Sequence, residues 1–267
     1  MTANVLAERY ASASMCDIWD PVGKIKAERR LWLAVLQAQH DLGVTVPDGV
    51  IADYERVLDQ VDLDSIADRE RVTKHDVKAR IEEFSDLAGH QHIHKGMTSR
   101  DLTENVEQMQ VRQSLELVRD RLVAALVRLA ARAVQHRDLV MAGRSHNVAA
   151  QATTLGKRFA TVADELLVGL QRLEELRARY PLRGIKGPMG TAQDMLDLLG
   201  GDEAKLTSLE DRVFILCGIA LEPTWPSANP SVTSSWPAIS RIVVASDDGA
   251  AASWTSALST SKSSERG

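Results

Sequence analysis

Cysteine is nearly missing from this chain. Cys16 and Cys217 are the two present, too few and too isolated for a disulfide framework or a thiolate metal site. A reducing compartment is implied, and a cytoplasmic location is the expectation. Aromatic residues make up 4% of the chain, and alternating β-branched runs are almost absent before residue 213, which leaves little strand-forming material. No apolar run approaches the roughly 20 residues needed to cross a bilayer, and Glu8 and Arg9 interrupt the first turns where a signal segment would be apolar. No membrane partner is expected. Thirty-two basic residues stand against 37 acidic ones, for a net charge of −5, and no basic stripe exists to follow a nucleic-acid backbone. Nucleic acid is therefore not an expected partner, although local pairs such as Arg29-Arg30 and Lys157-Arg158 are able to meet the phosphate of a small ligand.

What the chain does have is helical periodicity. Ile25, Leu31, Leu33, Ala34, Leu36 and Ala38 recur at helical spacing between Lys24 and Leu42, and Gly43 follows as a stop. Pro47 stands where a helix can begin, and Val50, Ile51, Tyr54, Val57 and Leu58 form the buried face of a run from Val46 to Val61. From Thr98 to about Arg137 there is neither proline nor glycine, which predicts a helix of roughly 55 Å at 1.5 Å per residue. A stripe of that length needs partners. Ala152 to Tyr180 repeats the pattern until Pro181, so the two predicted long helices form an antiparallel pair, the start of a bundle. The expected fold is all-α: an N-terminal helical domain at 1–97, a partial long-helix bundle at 98–213, and an atypical tail rich in Ser, Pro and Trp at 214–267.

Three breaks in the helical pattern carry the chemistry. Lys74-His75-Asp76-Val77 lies between the run ending at Val61 and one from Asp76 to Leu87, with Asp76 as the expected helix N-cap. His94-Lys95-Gly96-Met97-Thr98-Ser99-Arg100-Asp101 opens the long helix, where N–H groups and two hydroxyls suit a carboxylate or phosphate. Gly143-Arg144-Ser145-His146, followed by Thr153-Thr154-Leu155-Gly156-Lys157, is expected to hold an imidazole near another helix start. Each has a plainer reading as well. His75 and Asp76 suit a structural cap, Thr98 and Ser99 cap a helix as readily as they bind a ligand, and a loop histidine is more often a surface residue than a catalyst. His90, His92 and His94 alternate, but no second cluster completes a metal site, so no metal is expected. Arg183-Gly184-Ile185-Lys186-Gly187-Pro188-Met189-Gly190-Thr191 lacks the ending and the preceding strand of a phosphate loop.

In this order, and together with Arg9-Tyr10, Met15 and Ile18-Trp19 near the start, these residues resemble the adenylosuccinate lyase branch of the fumarase/aspartase superfamily up to about Val213. The resemblance implies elimination of fumarate from succinylated purine nucleotides, without a cofactor, in a homotetramer whose active sites each draw on three chains. It implies that His146 is the general acid and that His75 assists it. Arg9, Tyr10, Lys74, Asp76, His94, Thr98 and Ser99 become substrate contacts, with Lys186 and Thr191 from the glycine-rich segment. In that family a serine on a mobile loop is the base, ahead of which comes a Gly-Gln-x-Tyr segment; neither pattern occurs after Phe214. The tail is therefore expected to be out of frame, and the chain alone nearly inactive. Alternatives are another superfamily member, such as argininosuccinate lyase or a carboxymuconate cycloisomerase, and a non-catalytic helical oligomerisation module.

Overall fold

A computed structural model describes residues 4–216. Most of the proposed tail, 217–267, lies outside them. Within the described residues the chain forms two compact units: 4–119 with 173–216, and 120–172.

The first unit is built around helix α3 (Pro21–Asp41), which follows two six-residue helices, α1 (Val5–Tyr10) and α2 (Ala13–Ile18). Asp20 caps α3 by accepting the Gly23 N–H at 2.8 Å, and Pro21 fills a first-turn position whose N–H would be unpaired anyway. The helix ends as its sequence predicts. Gly43 takes φ of 98°, and the Gly43 and Val44 N–H groups return to the carbonyls of His40 and Gln39. Leu31, Trp32, Val35, Leu36 and Ala38 are buried against α4 (Val50–Val57), α6 (Asp76–Ala88) and α10 (Glu203–Leu216). Leu102 and Val106 from the start of α7 (Ser99–Gln135) join this core, as do Ile185, Leu209 and, from the short α9 (Gln193–Leu198), Met195.

Several expectations are corrected here. The helix anticipated from Val46 is shorter, because Gly49 turns left-handed at φ of 85° just before Val50. The stretch after it is not a single break, for α5 (Leu63–Thr73) occupies it, capped by the Asp62 carboxylate on the Ser65 N–H. Arg29 is not available to a phosphate. It is fully buried, donates to the carbonyls of Val57 and Leu58 at 2.9 and 2.8 Å, pairs with Glu83, and lies over the Phe84 ring. A buried guanidinium is tolerable when its donors meet both a carboxylate and helix-end carbonyls. At the other end, Phe214 is buried and residues 214–216 complete α10.

In the second unit the later part of α7 runs beside the first part of α8 (Leu155–Arg179), the antiparallel pair that the periodicity predicts. The two approach closely at Gly156, whose N–H donates to the His136 carbonyl at 2.9 Å and where a Cβ would stand 2.4 Å from the Ala133 oxygen. Between them lies a β-hairpin rather than a loop: β1 (Val140–Ser145) and β2 (Val148–Thr154) pair antiparallel, with an irregularity at Gly143 and Arg144. Among the described residues this is the only sheet, and the chain is otherwise helical.

Candidate functional site

The Lys74-His75-Asp76 segment joins α5 to α6. Lys74 is exposed and left-handed at φ of 56°, closing α5 through its N–H to the Glu70 carbonyl. His75, not Asp76, is the N-cap of α6: its backbone is extended and its Nδ1 accepts the Lys78 N–H at 3.2 Å. An imidazole nitrogen performs the task usually given to Ser or Asp, and Asp76 is thereby moved into the first turn, where its carboxylate takes Arg80 at 2.6 Å. Because Nδ1 accepts, the neutral ring carries its proton on Nε2. That nitrogen lies 3.4 Å from Ser99 Oγ, at the start of α7. Two of the three sequence breaks thus meet within one unit.

The histidine before that helix start is held from behind. His94 is left-handed at φ of 67°, and its Nδ1 accepts the Trp32 indole N–H at 2.9 Å, with the rings edge to face. Burial, reinforced by the like charge of His75 and opposed by Asp101, pushes the His94 imidazole down to about 4. It is consequently neutral near pH 7, with the free proton on Nε2. His90 and His92 are polar neighbours: His90 Nε2 lies 2.9 Å from Asp53 Oδ2, and His92 Nδ1 lies 3.2 Å from the Lys95 ammonium.

The α7 N-terminus is organised by its own carboxylate. Asp101 is fully buried and accepts the Thr98 N–H at 2.9 Å, together with the N–H groups of Lys186 and Gly187 and the Arg183 side chain. Asn105 extends the grip, since its amide donates to the Gly184 carbonyl and its oxygen accepts the Gly184 N–H. Sequence reasoning placed Asp101 in the first turn without this role. Its spacing from Thr98, three residues on, is a capping signature and was the available signal; its bonds to the glycine-rich segment had none. Arg183, which also pairs with Glu104 at 2.8 Å, was missed as well.

Lys186, expected as a substrate contact, has its ammonium on both Glu210 oxygens at 2.7 and 2.9 Å. Thr191 is exposed beside it in the segment. Arg9 and Tyr10 are exposed on α1, without a side-chain hydrogen bond among the described residues. His146, in the other unit, is not near a helix start. It and Asn147 form the two-residue turn of the hairpin, both at positive φ, 48° and 65°, the backbone that such tight turns require. The residue is exposed in the single chain.

The chain folds as long paired helices, with imidazoles and hydroxyls gathered at helix starts. Its fold matches that of the 3-carboxy-cis,cis-muconate lactonizing enzyme from Pseudomonas putida, at a TM-score of 0.70 and 21% identity over 84% of this chain and 51% of that one. It also matches fumarate lyase from Mesorhizobium sp. BNC1, at 0.66 and 24% over 86% and 52%. The profile of the family described as lyase covers residues 18–195, and the chain belongs to that family. Among curated relatives, adenylosuccinate lyase of Saccharomyces cerevisiae is 34% identical over 80% of this chain and 45% of its own length. That of Schistosoma mansoni is 32% identical over 78% and 44%, and that of Methanocaldococcus jannaschii 30% over 73% and 43%. The chain spans less than half the length of these relatives.

Proposed function

We propose that the protein is a lyase of purine nucleotide synthesis that eliminates fumarate from adenylosuccinate, and from the succinylated aminoimidazole carboxamide ribotide, in a homo-oligomeric assembly. The observation that carries this reading is the His75–Ser99 contact at the start of α7, in a chain whose curated relatives bear the adenylosuccinate lyase name. In the proposed reaction a base removes the proton from the carbon beside one succinyl carboxylate. His146 protonates the departing purine nitrogen, assisted by His75, and the C–N bond breaks to leave fumarate. Charge grows on that carboxylate as the proton leaves. Donors fixed beforehand at Ser99, Thr98 and His94 Nε2 stabilise the growing charge more than the ground state.

The remaining assignments belong to the same proposal. Arg9 and Tyr10 take the nucleotide phosphate, through paired guanidinium donors in the case of Arg9. Lys74 and Asp76 flank the succinyl group, and Lys186 and Thr191 close over it from the glycine-rich segment. No cofactor is needed for this proton chemistry. The clustering of His75, His94 and Ser99 supports the succinyl end of the scheme, and the neutral state of His94 supports its service as a donor. The test is equilibrium binding of adenylosuccinate and AMP compared with argininosuccinate and arginine. Preference for the purine pair is the expected result; preference for the arginine pair, or binding of none, defeats the assignment.

A further inference from the structure

A buried carboxylate outside this cluster reaches it through two ion pairs. Glu28, on α3, is fully buried; its Oε1 accepts from Arg80 Nη1 at 2.7 Å, and its Oε2 has no hydrogen-bond partner among the described residues. Burial raises the Glu28 carboxyl above its ordinary range, and the Arg80 guanidinium opposes that rise. The other Arg80 nitrogen, Nη2, donates to Asp76 Oδ2 at 2.6 Å. One planar fork therefore spans two carboxylates, one in the core and one in the first turn of α6, a geometry that an arginine supplies and a single ammonium does not.

The consequence falls on His75. Asp76 Oδ1 stands 3.6 Å from His75 Nδ1, outside hydrogen-bond distance, while that nitrogen accepts the Lys78 N–H. A carboxylate beside a neutral imidazole ordinarily captures the ring N–H and so fixes its tautomer. Here the guanidinium holds the carboxylate back. Ser99 Oγ faces the opposite ring nitrogen, Nε2, and does not compete for Nδ1.

We propose that Arg80, anchored in the core by Glu28, is a positioning residue that sets which nitrogen of His75 carries the proton. By retaining Asp76 it leaves Nδ1 as the acceptor that caps α6 and directs Nε2–H at Ser99. Stability alone does not call for this arrangement, because buried ion pairs are often replaceable by apolar residues without loss. The importance of the tautomer for catalysis rests on the lyase reading above; the tautomer itself does not.

The experiment is nitrogen-15 NMR of the histidine rings in the whole chain, above the ordinary imidazole titration range, with His75 assigned from the signals lost in His75→Gln. The parent is expected to show the Nε2–H form. In Arg80→Gln the freed carboxylate takes Nδ1–H, and the tautomer ratio moves by about tenfold or more, the equivalent of one hydrogen bond to a charged group. Arg80→Lys is expected to do the same, its ammonium remaining with the buried Glu28. The double variant Arg80→Gln with Asp76→Asn returns the ring to Nε2–H, a coupling that general loosening would not produce. If Arg80→Gln does not fold, the charge-conserving Arg80→Lys decides. An Nδ1–H parent, or an unchanged ratio in the Arg80 variants, overturns the proposal. Addition of adenylosuccinate separates the two readings: no response of the His75 signals, with the tautomer switch intact, counts against the lyase reading alone.

Discussion

The Trp32 indole donates to His94 Nδ1 across 2.9 Å, joining the buried face of α3 to the segment that opens α7. The bond requires His94 to present a bare nitrogen, and burial keeps the ring neutral by pushing it down to about 4 from 6.5. The folded value lies below the unfolded one, so between them the unfolded chain binds more protons. The contribution of this group is thus complete above about pH 6.5 and is lost progressively as the pH falls toward 4. At 1.36 kcal/mol per unit its full extent is about 3 kcal/mol. Urea unfolding across this window is expected to show the decline. In His94→Gln, whose amide oxygen can still accept the indole proton, the slope should fall by up to one proton. An unaltered slope would remove His94 as the source.

Asp101 holds the α7 start and the 183–187 segment in one place, with four backbone or guanidinium donors on one buried carboxylate. Asp101→Asn retains the shape, removes the charge, and turns one oxygen into a donor facing other donors. A cost of about 3 kcal/mol is expected, the range for breaking a buried charged network from one side. Hydrogen exchange at the Lys186 and Gly187 amides should accelerate more than exchange in α4. Uniform acceleration would mean that Asp101 serves the whole unit rather than this junction.

The long helices were legible because an apolar stripe at period 3.6 persists through them, and α3, α7 and α8 fall close to their expected limits. Helix α5 was not, because it buries Ile66 while Leu63 and Val72 stay exposed, leaving no stripe to read. The hairpin escaped for a different reason: its strands are rich in Ala and exposed along most of their length, and its turn is His146-Asn147 instead of an Asn-Gly pair. At the site, the meeting of His75 with Ser99 could be expected only from resemblance. The part played by Asp101 depends on contacts more than eighty residues away in the chain, which no local pattern encodes.

Two glycines of α8 make opposite predictions. At Gly156 an added methyl would stand 2.4 Å from the Ala133 carbonyl oxygen and 2.7 Å from the Arg137 backbone, so α7 must move to admit it. Gly156→Ala is expected to destabilise by about 2 kcal/mol, the overpacking penalty outweighing the gain in helix propensity. At Gly169 the methyl meets nothing within 4 Å, and Gly169→Ala should stabilise by about 0.5 to 1 kcal/mol through the smaller entropy of the unfolded chain. Thermal unfolding of the pair is the measurement. A gain at both positions would mean that the helices part easily at Gly156.

Ser99 and His146 divide the proposed chemistry between binding and proton transfer, and their variants should divide in the same way. Ser99 Oγ sits against His75 Nε2 at a helix start, where a succinyl carboxylate would accept from it. Ser99→Ala should therefore weaken adenylosuccinate binding by roughly tenfold, the value of one hydrogen bond to a charged group. His146 sits in an exposed hairpin turn and acts, in this scheme, only when the leaving nitrogen takes its proton. His146→Gln should leave the dissociation constant within about twofold and reduce whatever turnover the assembly has by about 10²- to 10⁴-fold. Calorimetry together with a progress assay of the succinylated purine distinguishes the two patterns. Loss of binding in His146→Gln without a further loss of rate would reassign the hairpin histidine from proton donor to substrate clamp.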